Sequence, residues 1–178
     1  LDEQCEKIVE LAEENNAIDS LVADPAVIWK SRKAYLEADR ARSLVFSMED
    51  IVVPMTEIPG AVQQISRLSE KYDVAMHCAG HCGDGNVHID ILKDDRTQEQ
   101  WEEMLPKIQG EIYDLVYSLG GRISGEHGIG FKREALLEKY TNPIELKLMK
   151  AVKKALDPKN IMNPGKVVSI NDEVPVQE

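Results

Sequence analysis

The sequence predicts an α+β fold: an antiparallel sheet with helices packed on one face, ferredoxin-like in type, followed by C-terminal helices. Three observations predict it. Segments with apolar residues at helical spacing alternate with short β-prone runs. Asp84-Gly85 stands between two of those runs, a strong hairpin signal, so neighbouring strands should be antiparallel. The runs alternate apolar and polar side chains, as a sheet covered on one face does.

The elements follow in order. Residues 3–18 read as an amphipathic helix with Cys5, Ile8, Val9 and Ala12 on one stripe. Asp24 is a natural N-cap and Pro25 a natural first helical residue, so a second helix should run to about Arg42. Ser43 to Val53 holds two short β-prone pieces, stopped by Pro54. Ile58 to Tyr72 is a third helix, with Pro59 in its first turn. Val74 to Leu92 is the hairpin. Thr97 to Leu119 is a long helix carrying Trp101, Leu105, Ile108, Ile112 and Leu115, in which Pro106 should kink the helix or mark its start. Gly120-Gly121 ends it. A short strand, Arg122 to Ser124, leads into the loop Gly125 to Gly130, and helices near 131–139 and 143–156 follow. The polar tail after Val168 is expected to fray.

Composition narrows the function classes. The net charge of −11, from 21 basic and 32 acidic residues, disfavours nucleic acid and anionic membrane as partners. No apolar run approaches the ~20 residues of a transmembrane segment. The start, Leu1-Asp2-Glu3-Gln4, is neither an initiator Met nor a leader, so the chain is expected to begin inside a longer protein. Three unpaired-looking cysteines, Cys5, Cys78 and Cys82, fit a reducing compartment, with Cys78 and Cys82 read as small buried hydrophobes.

The hairpin carries the first chemical signal. With Asp84-Gly85 as a two-residue turn, Cys82 pairs with Val87 and His81 with His88, whose Cβ atoms would then lie roughly 5 Å apart. Met76, Cys78, Cys82, Val87, Ile89 and Ile91 share one face, and His77, Ala79, His81, His88 and Asp90 the other. Two imidazoles so placed can reach one ion; the plain alternative is a surface hairpin whose histidines happen to face each other. In the loop Ser124-Gly125-Glu126-His127-Gly128-Ile129-Gly130 an acid and an imidazole sit between glycines. Glu126 with His81 and His88 gives three ligands and leaves open positions, as catalytic sites require. His127 would then be a general base. Without the hairpin, this loop reads as a structural turn. Asp157 to Lys166 is a rigid elbow with a Pro-Gly turn.

Together, GHCGDGNVH (80–88), SGEHGIGFKRE (124–134), DPKNIMNPGKV (157–167) and IWKSRKAY (28–35) resemble the C-terminal domain of the FAD-linked oxidase family. That family includes D-lactate dehydrogenase, D-2-hydroxyglutarate dehydrogenase and the D subunit of glycolate oxidase. The resemblance implies that His81, His88 and Glu126 hold a divalent metal, zinc being the expected ion. It implies that His127 lies by substrate and flavin as base, and that Arg32 binds the substrate carboxylate, for which a planar guanidinium is suited. Asn86 and Asn163 fall on the cofactor side. Asp90 falls at a substrate position where the hydroxyglutarate enzymes carry Asn, and Met48 where they carry a lysine. Both departures favour a small acid, lactate or glycolate. Residues 1–120 would be the substrate-binding cap, and 121–178 would return to an FAD-binding domain that nothing here supplies. The region alone is therefore expected to bind little FAD and not to turn over.

The implied activity is FAD-dependent oxidation of a small 2-hydroxy acid, with electrons passed to an acceptor protein or iron–sulfur subunit. The expected location is the cytoplasm, with any contact to the inner membrane made through partners. Two other classes fit the same residues: a metal-dependent hydrolase using the His-His-Glu site, and a non-catalytic interaction subunit.

Overall fold

The helix predicted from Asp24-Pro25 forms because Asp24 does cap it: its Oδ1 accepts the Ala26 N–H at 2.9 Å. In the computed structural model, which describes residues 2–170, the chain divides into two compact units at Ala41/Arg42. The first holds α1 (Asp2–Glu14) and α2 (Pro25–Arg42). α1 stops short of the predicted 18 because the Asn15 amide bonds back to the Leu11 carbonyl and Asn16 turns left-handed at φ 64°.

The second unit builds the sheet. Its order of elements is β1 (Phe46–Val52), α3 (Ile58–Tyr72), β2 (Met76–His81), β3 (Asn86–Leu92), α4 (Gln98–Ser118), β4 (Arg122–Ile123), α5 (Glu134–Tyr140) and α6 (Pro143–Leu156). The strands lie in the order β2-β3-β1-β4, all antiparallel. This β-α-β-β-α-β arrangement is the ferredoxin-like pattern the sequence predicts. Residues 43–53 give one strand instead of two pieces. α3 and α4 pack on each other and on one face of the sheet, where Ile51, Ile89 and Ile91 meet Ile65, Ile108 and Ile112, all within 1% exposure. Fully burying each such side chain contributes about 1.5–3 kcal/mol.

The hairpin differs from the expected register. His81 lies opposite Asn86 and Ala79 opposite His88, and Cys82–Gly85 form a four-residue loop in place of a two-residue turn. The cause is local: the Asp84 carboxylate accepts the Asn86 N–H at 3.0 Å, and Gly85, at φ 84°, lays its carbonyl on the Val53 N–H at 3.0 Å. The pairing is displaced by two residues, so every side chain still in β2 or β3 keeps its predicted face. His81 and His88 become diagonal neighbours on the polar face. Cys78 packs against the core as expected, whereas Cys82 is exposed in the loop; all three cysteines are free.

α4 starts at a reciprocal cap: Thr97 Oγ1 accepts the Gln100 N–H and Gln100 Oε1 accepts the Thr97 N–H. The helix runs through Pro106, which is neither its start nor its end. Pro106 and the Glu102 carbonyl it deprives of a donor lie on the exposed side, where water can serve. The elbow after α6 is held by buried Asp157, which accepts the N–H groups of Ile161 and Met162 at 2.9 Å. Val167 then donates to the Gly130 carbonyl at 2.8 Å, tying the elbow to the glycine loop. Most of the tail expected to fray lies outside the described residues. Among those described, no helix is long and apolar enough to cross a membrane.

Candidate metal centre

β3 sets His88 on the face away from α3 and α4, and β2 sets His81 diagonally beside it. Their rings meet edge to face at 5.9 Å between centroids. The glycine loop brings in Glu126, whose Oε1 lies 3.0 Å from His88 Nε2 and 3.7 Å from His81 Nε2. Tetrahedral ligands at bond lengths of about 2.0–2.1 Å stand roughly 3.3 Å apart, between those two values. The three side chains therefore fit one divalent cation. Glu126 is half exposed, so an ion held there would keep positions open to solvent. Burial pushes His88 below the usual imidazole pKa, and His127 pushes it the same way, which favours the neutral ring that ligation needs. His127 stacks on His88 at 4.7 Å, with its Nε2 3.8 Å from Glu126 Oε1.

The loop is shaped by Asp50 of β1, a fully buried acid that the sequence reading did not single out. Its Oδ2 accepts the N–H groups of Glu126 (2.9 Å) and His127 (2.7 Å) and the Ser124 hydroxyl (3.0 Å). Its Oδ1 accepts the Asn86 amide at 2.8 Å and lies 3.5 Å from His88 Nδ1. Burial raises this carboxyl's pKa, but the donors from His127, Asn86, Glu126 and Ser124 outweigh it and bring it down to about 2. Gly125 is required by space: a Cβ there would stand 1.7 Å from Asn86 Nδ2 and 3.2 Å from Asp50 Oδ1. Gly125→Ala should cost about 1–3 kcal/mol, the usual range for an overpacked site. The urea midpoint would fall at unchanged slope; an unaltered midpoint would show that the loop moves aside freely.

Glu49, next along β1, points to the helix side and is equally buried. Its carboxylate accepts from Tyr113 (2.7 Å), Gln109 (2.8 Å), Ser47 (2.7 Å) and Lys132 (2.7 Å), with Arg133 Nε at 3.7 Å. Lys132 and Arg133 also donate to the Met48 carbonyl, and Arg133 reaches the Gly128 carbonyl at 3.3 Å. The segment 124–133 thus straddles the edge of β1, gripped on one face by Asp50 and on the other by Glu49. A sequence signal existed for the pair: of two adjacent acids inside an otherwise β-prone run, alternation must send one to the covered face of the sheet, where it needs partners.

The other predicted residues fall as follows. Asp90 lies two places beyond His88 on the same face, fully buried, opposite Met48 of β1 and His77 of β2. Asn86 is buried; its amide serves Asp50, and its Oδ1 is left without a hydrogen-bond partner. Asn163, at φ 50°, lines an apolar groove of about 840 Å³ along α6 with Gly130, Leu148, Val152 and Lys166. Arg32 belongs to the first unit, exposed on α2, with its guanidinium 5.0 Å from the Trp29 ring centre.

The family model for the C-terminal domain of FAD linked oxidases matches residues 1–167. The chain is 34% identical to a D-lactate dehydrogenase of Anaerostipes hadrus, covering 93% of this chain and 37% of that protein. It is 33% identical to glycolate oxidase subunit GlcD of Bacillus subtilis, covering 91% and 35%. It is 36% identical to a D-2-hydroxyglutarate dehydrogenase of Stutzerimonas stutzeri, covering 79% and 30%. The chain thus spans about a third of the length of these relatives.

Proposed function

The chain belongs to the family of C-terminal domains of FAD-linked oxidases, and on that premise we propose that it forms the substrate- and metal-binding part of an FAD-dependent dehydrogenase of small 2-hydroxy acids. The observation that carries this reading is the convergence of His81, His88 and Glu126, whose ligand atoms lie within 4.8 Å of one another. A divalent cation held there, zinc by ligand type, supplies Lewis acidity toward the oxygens of the acid, and FAD bound by another domain supplies the hydride acceptor. This chain's residues do the rest. His127, stacked on His88, takes the proton of the α-hydroxyl. Arg32 clamps the carboxylate. Buried Asp90 and apolar Met48, paired on the site face, disfavour a second carboxylate, which supports glycolate or D-lactate as substrate.

Residues 1–120 would form the cap, and 121–178 the segment that meets the FAD-binding domain. Ile144, Leu148, Val152 and Leu156 support that assignment, being 70%, 62%, 59% and 77% exposed at four-residue spacing on α6. Asn163 and Lys166 in the neighbouring groove would face the same domain, and Asn86 would act on the cofactor side. We place the protein in the cytoplasm, handing electrons to an acceptor protein such as an iron–sulfur subunit.

The test is turnover of glycolate, D-lactate and D-2-hydroxyglutarate with an artificial acceptor, using a protein that carries its FAD-binding domain. The first two acids should be preferred, and His127→Ala should lower kcat about 10²–10⁴-fold. Full activity in that variant would remove His127 from the reaction. Flavin-free cleavage of esters would favour a hydrolase instead.

A further inference from the structure

We propose that Asp50 is the positioning residue of this centre, fixing Glu126 and His127 through their own backbone N–H groups from its place beside His88. The proposal rests on the metal reading above for its effect on an ion, and on the hydrogen bonds alone for its effect on the loop. Asp50 and His88 are direct cross-strand partners on β1 and β3. One carboxylate therefore touches the strand that brings one ligand and the loop that brings another.

Asp50 could itself be taken for a ligand, because its carboxylate lies near both His88 and His127. Its hydrogen bonds argue otherwise. A carboxylate offers about four lone-pair sites. Asp50 Oδ2 is filled by three donors, from Ser124, Glu126 and His127, while Oδ1 accepts the Asn86 amide and lies 3.5 Å from His88 Nδ1. The imidazole nitrogen that faces Asp50 is Nδ1, while the one that faces Glu126 is Nε2. Asp50 thus lies on the Nδ1 side of the ring and Glu126 on the Nε2 side; His88 Nδ1 makes no hydrogen bond, so the hold of Asp50 on the centre runs through the loop and its contact with the ring is one of proximity at 3.5 Å.

The experiment uses the full chain, cobalt(II) as probe, and the variants Asp50→Ala, Asp50→Asn and Ile51→Ala. Ile51 is the next residue on β1 and faces the helices, so its variant lowers stability without touching the loop. Asp50→Ala should weaken cobalt binding about 10–100-fold, change the visible spectrum of the bound ion, and speed hydrogen exchange of the Glu126 and His127 amides. Asp50→Asn keeps one acceptor oxygen and should recover most of the exchange protection; it also carries the test should Asp50→Ala fail to fold. Ile51→Ala should melt earlier with cobalt affinity and spectrum intact. Asp50→Ala with wild-type affinity and spectrum would overturn the proposal, as would equal weakening by Ile51→Ala or no recovery in Asp50→Asn. If the wild-type chain binds no cobalt, the metal reading falls by itself. Amide exchange then decides: faster exchange confined to the loop of Asp50→Ala upholds the positioning role, and unchanged exchange ends it.

Discussion

His88→Ala should abolish stoichiometric metal binding, weakening affinity by more than about 100-fold, the upper end of what is lost when only an outer-shell partner is removed. This ring touches every other side chain of the centre. It approaches Glu126 at 3.0 Å, meets His81 edge to face, stacks on His127 and lies beside Asp50. It is also the least exposed of the three ligands, at 16% against 39% for His81 and 52% for Glu126. Its removal therefore takes away a ligand and the surface on which His127 rests. His81→Ala, on the more open side, should lose less. Elemental analysis after dialysis and competition against a chromophoric chelator measure both. Stoichiometric metal retained in His88→Ala would mean that the ion sits elsewhere.

The largest loss of stability should come from Glu49→Ala. Removing one partner of a buried ionic cluster costs about 3–5 kcal/mol, because the remaining groups stay buried without compensation. Here Arg133 and the Tyr113 hydroxyl would be stranded beneath the sheet, while Lys132 could turn to water. At about 2–4 °C per kcal/mol for a chain of this size, the melting temperature should fall by roughly 10 °C. Glu49→Gln keeps the shape and most acceptors and should lose less. The pH dependence has a definite sign. Burial raises the Glu49 pKa, but Lys132 and the hydrogen-bond donors outweigh it and hold it below its ordinary 4.5; Asp50 is held near 2 against 3.8. Both acids thus stabilise the fold fully above their unfolded pKa values, and that contribution fades as pH falls through the folded ones. Acid unfolding should begin below about pH 4.5, and Glu49→Gln should flatten the upper part of that decline. Wild-type melting in Glu49→Ala would show that the cluster contributes nothing.

What the sequence discloses and what it hides separate along physical lines. α3 runs from Ile58 to Tyr72 as expected, because local periodicity and Pro59 specify it. The faces of β2 and β3 are legible from alternation, and that alone places His81 and His88 together. The loop length between them is not, because it depends on the Asp84 carboxylate bonding the Asn86 N–H and on Gly85 meeting Val53 from another segment. The register error of two residues left His81 and His88 on one face for that reason. Pro106 misleads because helix rules count its missing donor, while exposure removes most of the penalty. The roles of Asp50 and Glu49 stay hidden because most of their partners lie 36 to 83 residues away along the chain. Only the folded sheet shows that two neighbouring acids grip one loop from opposite sides.

That grip has a consequence for how an ion would come and go. Small zinc domains owe their folding to the ion, and chelators denature them. In this protein the strand's own carboxylates anchor the loop that carries Glu126 and His127, so release of an ion bound there would not by itself undo the fold. A cell could exchange one divalent ion for another here without passing the protein back through its unfolded state.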